Sequence, residues 1–285
     1  MKTKPLFLIV TPSFNQAKFI AQTIDSVICQ TGDFDIFYVV MDGGSSDGTV
    51  KILKAAEQKT FKNKSLSLQS FKFQSQKDKG QTDAINKGIK FFDEQMKIKN
   101  LKLDKDSLVI FAYINSDDYY LPNAFSQVVT AFKKESNKQW LVADSLIVDE
   151  NGKNIQNLVR IYKQMLRKIY QFFPSLLFIL NPIPQPSTFI SYQAIKEIGQ
   201  FDVNLRFVMD YQYWLRMQKK YGLPIFLNTA LSSFRIHGLS KGGSQFEKQF
   251  AEQFKVARKY CHNMAFLLLH QAHNWVTTTI YRFLK

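Results

Sequence analysis

Two short stretches of this 285-residue chain set carboxylates beside small, turn-forming residues. In DGGSSDGT at 42–49, Asp42 ends an apolar run, two glycines allow tight backbone turns, and Ser and Asp residues are placed to cap a following helix. Such a loop can hold a nucleotide, with Asp42 accepting a hydrogen bond from a base N–H; it can equally be a plain turn between strand and helix. It has neither the Gly-x-Gly-x-x-Gly of a dinucleotide fold nor the Gly-Lys-Ser/Thr of a P-loop, which disfavours both. The second stretch, INSDDY at 114–119, sets Asp117 and Asp118 side by side after an apolar run. Adjacent acids repel unless a cation is near, and hard oxygen ligands suit Mg²⁺ or Mn²⁺ bridging a diphosphate. Capping a helix that begins near Pro122 is the competing role, one that suits Asp118 better than Asp117.

The elements that must position these loops are legible as hydrophobic periodicity. Leu6–Thr11 and Ile36–Met41 are continuous apolar runs of buried-strand length, Leu66–Phe73 alternates, and Leu108–Ile114 and Leu141–Val148 complete five strands. Helical spacing covers 16–30, a stretch from about Thr49, Thr82–Met96 and a stretch from Pro122. Strands alternating with helices imply βαβ units: an α/β fold with a mostly parallel sheet flanked by helices, ligands binding at the C-terminal strand ends. Both polar loops stand at such ends. Beyond 150 the pattern loosens: 185–192 reads as strand, 193–198 and 209–221 as helix, 224–236 as extended chain, and 244–285 as a helical extension.

Composition narrows the class. Hydrophobic residues make up 45% of the chain, enough for a core and against disorder. Cys29 and Cys261 are too few and too distant for a disulfide framework or a cysteine-rich zinc site, which fits a reducing compartment. The N-terminus shows no signal-peptide pattern and no stretch has spanning length, so a cytoplasmic protein is expected. The net charge of +15 is uneven: residues 1–150 carry +2 and 151–285 carry +13, and every arginine lies in the second part. That asymmetry implies an anionic partner or a solvated basic surface. No nucleic-acid-binding signature accompanies it, so no nucleic acid is expected, and a nucleic-acid-binding protein that uses the basic second half is the alternative reading. Residues 160–172, and the tail from Met264 with Trp275, mix cationic and aromatic side chains as interfacial helices do; amphipathic helices packed on a domain have the same composition. His270 and His273 share a helix face but have no third ligand in view.

TPSFN at 11–15, VVMDGGSSDGT at 39–49, KDKGQTDAINKGI at 77–89, YINSDDYYLP at 113–122, QPSTF at 185–189, IGQFD at 198–202, MDYQYWLRM at 209–217 and FRIHGLSKGG at 234–243 occur in one order. In this the chain resembles the family-2 inverting glycosyltransferases of the GT-A fold, of bacterial cell-surface polysaccharide type, from about residue 6 to 243. The resemblance implies a single GT-A domain over 1–243, with a nucleotide-sugar-binding part at 1–150, an acceptor-binding part at 151–243, and a helical extension at 244–285. It implies transfer from a nucleotide-diphosphate sugar, UDP-linked in the commonest look-alikes, with a divalent metal, Mn²⁺ or Mg²⁺.

Position by position, the resemblance implies that Thr11, Pro12 and Phe14 line the base pocket, Phe14 standing where many members stack a tyrosine. Asp42 would hold the base and Lys79 would lie near the nucleotide. Asn115-Ser116-Asp117 occupies the place of the Asp-x-Asp motif; its first acid is replaced by Asn115, leaving Asp117 as metal ligand, with Ser116 and Asp118 beside the nucleotide sugar. Asp210 falls at the catalytic base, with Met209 in place of the usual Glu, and His237 at a metal or diphosphate contact. The chemistry is consistent with these roles, since inversion needs one base near the acceptor hydroxyl and charge relief on the departing diphosphate. The implied acceptor is a saccharide or lipid-linked saccharide, and an anionic membrane at the cytoplasmic face is the implied location. The Asn115 and Met209 departures also admit a catalytically silent nucleotide-sugar binder.

Overall fold

The computed structural model describes residues 4–62, 67–98, 107–238 and 246–283. In chain order the elements are β1 (Leu6–Ser13), α1 (Ile20–Ile28), β2 (Asp35–Asp42), α2 (Thr49–Lys62), β3 (Leu68–Ser75), α3 (Gln81–Ile98), β4 (Val109–Tyr113), β5 (Tyr119–Tyr120), α4 (Ala124–Lys134) and β6 (Trp140–Val148). There follow α5 (Asn157–Phe172), α6 (Leu176–Ile179), β7 (Thr188–Ser191), α7 (Tyr192–Ile198), α8 (Met209–Tyr221), β8 (Ile225–Arg235), α9 (Phe246–Tyr260) and α10 (Met264–Phe283). Leu66, where the apolar alternation begins the third strand, and Leu239–Gly243 of the FRIHGLSKGG stretch lie outside the described residues.

Two compact units interleave in sequence. The first comprises Met1–Leu146, Pro184–Phe201 and Pro224–Phe234; the second comprises Ile147–Ile183, Asp202–Leu223 and Arg235–Lys285. The sheet runs in the order β3-β2-β1-β4-β7-β6-β8-β5. Its first four strands are parallel, as the βαβ alternation requires. Beyond β4 the sense changes: β7 pairs antiparallel with both β4 and β6, and β5 with β8. The sheet is therefore mixed. The stretch 185–192 is strand only from Thr188, because Gln185–Ser187 forms a 3₁₀ turn around Pro186.

β1 and β2 are buried on both faces, which is why their sequences are apolar runs without alternation. On one side Phe7 stacks on Phe125 of α4 at 4.3 Å, and Phe34, Tyr120 and Phe189 close edge-on around the pair. On the other, α3 rests directly on β1 at Gly88, where an added Cβ would come within 2.6 Å of the Val10 side chain. That approach fixes the height of α3 over the sheet, and with it the turn that begins the helix.

In the second unit α6 packs against α5, α9 and α10, and α9 also packs against α8 and α10. Trp214 and Tyr211 of α8 are buried, as core residues. Among the described residues no helix is long and apolar enough to cross a membrane.

Candidate functional site

The C-terminal edge of the parallel strands is organised by register. Ser13 of β1 stands opposite Asp42 of β2, and Asp42 opposite Ser75 of β3, so the three form one row across neighbouring strands. The buried Asp42 carboxylate is the hub of that row. It accepts hydrogen bonds from the Gly44 amide (3.1 Å), the Ser45 amide (2.9 Å), the Ser45 hydroxyl (2.5 Å) and the Ser75 hydroxyl (2.6 Å). A charged acceptor with four donors is satisfied without water, and it sets the turn that Gly44 makes at φ +86°. Asp42 thus organises the loop as well as standing where the resemblance puts the base contact.

The loop after β1 is stapled to the loop after β2. Asn15, at φ +51°, receives the Ser46 amide on its side-chain oxygen, while its own amide donates to the Ser45 hydroxyl. The Gln16 amide donates to the Thr49 hydroxyl and the Ala17 amide to the Asp47 carboxylate. Burial works against ionisation of Asp47, yet the Thr49 hydroxyl and the Ala17 and Thr49 amides outweigh it and hold the carboxyl below its ordinary range. Thr11 is buried and shares a hydrogen bond with the Tyr38 hydroxyl at 3.0 Å. Pro12 is buried too, whereas Phe14 is 60% exposed, an aromatic face offered to solvent at the strand end. Lys79 is exposed, in a turn closed by the Gly80 amide on Asp78 and the Lys79 amide on Asp83. This turn lies against the DGG loop, where a Cβ on Gly43 would meet Asp78 Oδ2 at 3.1 Å.

The second carboxylate stretch follows β4, the strand on the other side of β1. The Asn115 side chain is held from both ends. Its Oδ1 accepts from Gln81 Nε2 at 2.6 Å, and its Nδ2 donates to Asp118 Oδ2 at 3.2 Å and, more weakly, toward Gln185 Oε1 at 3.4 Å. Gln185 in turn donates to the Tyr113 carbonyl at 2.8 Å. The Thr23 hydroxyl of α1 lies on the carbonyls of Ser116 and Asp118, fixing the turn from below. Ser116 and Asp118 are buried; Asp117 is half-buried.

Among the described residues no group of three or more His, Cys, Asp or Glu gathers to cage a metal. The donor set fits a different arrangement, in which a hard divalent ion takes one protein carboxylate, Asp117, and completes its shell with water and the phosphates of a bound diphosphate. Asp118 accepts a hydrogen bond from Asn115 on one of its two oxygens.

In the second unit, Asp210 lies in the first turn of α8. Burial pushes its carboxyl up to about 6, against the opposing pull of the Tyr211 amide at 2.7 Å and the Lys163 charge. The chain entering α8 is gripped by Glu252 of α9, whose carboxylate accepts the amides of Arg206 (3.1 Å), Phe207 (2.7 Å) and Val208 (3.1 Å). Val208 is the N-cap of α8 and the other two residues lead into it, so Glu252 fixes the approach of the chain to the helix. His237, half-buried, follows the end of β8, where the buried Arg235 donates to the Glu150 carbonyl at 2.7 Å.

The structure thus brings Thr11, Pro12, Phe14, Asp42, Lys79, Ser116, Asp117 and Asp118 to the C-terminal strand ends of the first unit, while Asp210 and His237 belong to the second. Sequence reading missed Ser75, Asn15, Gln81 and Glu252. Ser75 carried a signal, since it ends a strand as Asp42 does; nothing near Glu252 in sequence marks it as the partner of a helix 42 residues away from it at Asp210.

The chain is 26% identical over 216 residues to a glycosyltransferase of Rickettsia felis, covering 75% of this chain and 31% of the relative. It is 22% identical over 272 residues to one of Methanocaldococcus jannaschii, covering 92% and 84%. The chain spans 27% to 64% of the length of the four rickettsial relatives it matches. Among solved structures it resembles the mannosyltransferase PcManGT of Pyrobaculum calidifontis in complex with GDP-Man and Mn²⁺ (TM-score 0.62, 12% identity, 96% of this chain and 70% of that one). It also resembles S. aureus TarS 1–349 in complex with UDP-GlcNAc (0.61, 16%, 89% and 65%) and the Mycobacterium tuberculosis glucosyl-3-phosphoglycerate synthase in complex with Mn²⁺ and UDP-Glc (0.55, 15%, 90% and 80%). At these identities the likeness is one of fold, the GT-A architecture. The sequence profile of Glycosyl transferase family 2 matches residues 8–186, well over half of the chain, and the protein belongs to that family.

Proposed function

We propose that the protein transfers a sugar, with inversion, from a nucleotide-diphosphate sugar to an acceptor hydroxyl. The observation that carries this reading is the row Ser13–Asp42–Ser75 with the Asn115–Asp118 turn beside it, two acid-bearing loops on β2 and β4, the parallel strands that flank β1, with an exposed aromatic, Phe14, at the same edge. Loops at that edge are where such sheets bind ligands. UDP is our reading of the base, since two of the three named structural neighbours are bound to uridine nucleotides and one to a guanosine nucleotide.

In this reading Phe14 stacks on the base, Thr11 and Pro12 wall its pocket, and Asp42 holds both the loop and the base. Lys79 offers a cation to the phosphates, and Ser116 and Asp118 line the sugar side. Asp117 would hold a divalent ion, with His237 as a further contact, and that ion would supply charge relief to the departing diphosphate. Asp210 takes the proton from the acceptor hydroxyl as its oxygen bonds the anomeric carbon and the bond from that carbon to phosphate oxygen breaks. A carboxyl raised to about 6 is ionised at neutral pH yet basic enough to accept that proton. The acceptor is a saccharide or lipid-linked saccharide, and we assign transfer to the cytoplasmic face of a membrane, in envelope polysaccharide or glycolipid assembly. We also take residues 1–150 as the donor-binding part and 151–243 as the acceptor-binding part of one domain, with 244–285 as its extension.

The test is transfer by the purified protein with Mn²⁺, a panel of nucleotide-diphosphate sugars and saccharide acceptors, read by mass spectrometry. Asp117→Ala and Asp210→Asn should each lower the rate by at least about a hundredfold. Full transfer by both variants would overturn the mechanism. Donor binding without transfer or hydrolysis would select the silent binder that the Asn115 and Met209 departures admit.

A further inference from the structure

Within the second unit α5 turns its apolar face outward. Leu158, Ile161, Tyr162, Met165, Ile169 and Phe172 recur at helical spacing along one face and are 41% to 87% exposed, while the inward face buries Leu166, Arg167 and Tyr170. An amphipathic helix packed on a domain does the reverse, putting its apolar stripe inward. A second helix, joined to α5 by a ring contact, also exposes apolar side chains. Phe173, just past the end of α5, meets Phe266 of α10 edge-on at 5.8 Å, and α10 exposes Met264, Leu268, Leu269 and Trp275, the last at 71%. Exposed apolar area of this extent on two joined helices marks a contact surface.

Charge decides what covers it. Neither α5 nor α10 contains an acidic residue. Lys168 is exposed along a border of the α5 stripe, and the chain from 151 onward carries a net +13. A second copy of the same face would bring no carboxylate on either helix to receive that lysine. An anionic bilayer supplies both halves of the complement: acyl chains for the stripe and phosphate headgroups for a lysine that reaches past it. Trp275 and Tyr162 add the amphipathic rings that settle at a headgroup boundary. Because no helix among the described residues has spanning character, the contact lies in the plane of the interface.

We infer that the outward faces of α5 and α10 form a membrane-docking surface that seats the second unit on an anionic bilayer. This deepens the membrane-face reading given above by assigning the residues that make the contact, and it does not depend on the transfer chemistry. The experiment is co-sedimentation of the full chain, without donor, on vesicles of phosphatidylcholine alone and of an equal mixture of phosphatidylcholine and phosphatidylglycerol. Wild type should pellet with the mixed vesicles, and less so as salt rises. The double substitution Ile161→Glu/Met165→Glu should lower the bound fraction by about tenfold, and Lys168→Glu by several-fold. Both sites are exposed, so the melting temperature should hold, and a melt of each variant checks this. Equal recovery on the two vesicle types, no recovery, or full binding by the double variant would each overturn the proposal. So would a lipid-free dimer, seen by sedimentation velocity, that the double variant dissociates. Failure here leaves the transfer assay free to succeed, and the reverse holds as well.

Discussion

Asn115 Nδ2 donates to Asp118 Oδ2 at 3.2 Å, so the residue standing in place of the motif's first acid hydrogen-bonds the second acid of the pair that follows. A carboxylate at 115 would face Asp118 as a like charge and would leave Gln81 as the only donor to that side chain. Asn115→Asp should therefore lower stability in metal-free buffer by about 1–2 kcal/mol. It should also tighten Mn²⁺ binding and recover its melting temperature when Mn²⁺ is added. Paired thermal melts with and without Mn²⁺ check this; a variant as stable as wild type without metal would contradict it.

The Asp42 carboxylate collects two amides and two hydroxyls, none of which has another acceptor in the loop. Asp42→Ala leaves these donors without a partner and should cost about 2–4 kcal/mol, with donor affinity lost as well. Ser75→Ala removes a single bond and should cost about 1 kcal/mol while keeping donor binding measurable. Urea unfolding and donor calorimetry on the two variants separate the roles. Equal losses from both would show that Asp42 is no hub.

Burial raises the Asp210 carboxyl from 3.8 to about 6, which has a stated sign for stability. A carboxyl raised in the folded state favours folding below its unfolded value and loses that contribution as pH rises through about 6. At pH 7.5 the ionised, partly buried group is therefore a liability. Asp210→Asn should be more stable than wild type there by about 1–2 kcal/mol, with the gap closing toward pH 4. Melting temperatures across that range are the measurement, and a gap that widens on acidification would refute the assignment.

The same value predicts the rate profile. As a base, Asp210 must be ionised, so kcat/KM should fall tenfold per pH unit below about 6 and level off above it. Loss of that limb in Asp210→Asn, against a low residual rate, would tie it to this residue.

Glu252 holds three amides at the entrance to α8, the helix that begins with Met209 and Asp210. Glu252→Ala should cost about 1–3 kcal/mol, and Glu252→Gln about half as much because one acceptor oxygen survives. If the cap positions Asp210, kcat should fall in the Ala variant with KM for the donor unchanged, and Gln should restore most of it. A variant that loses stability but keeps kcat would confine Glu252 to a structural role.

Much of this protein is decided by local pattern. The apolar runs at Leu6–Thr11 and Ile36–Met41 read as buried strands and are strands covered on both faces, and 209–221 reads as a helix in sequence and is one. Placing the polar loops at strand ends needs no more than that, since periodicity and turn residues act over a few neighbours. The eight ordered motifs likewise point to the family.

Tertiary structure decided what depends on partners distant in the chain. That β7 runs antiparallel between β4 and β6, that Ser75 meets Asp42 across 33 residues, and that Gln185 reaches Tyr113 across 72 are consequences of packing between distant segments. Residues 157–172 have the amphipathic pattern of either a packed or an interfacial helix, and only the structure shows the apolar face turned out. Periodicity records that a helix has two unlike faces; which one meets water depends on the surfaces available to bury it, and those exist only in the folded chain.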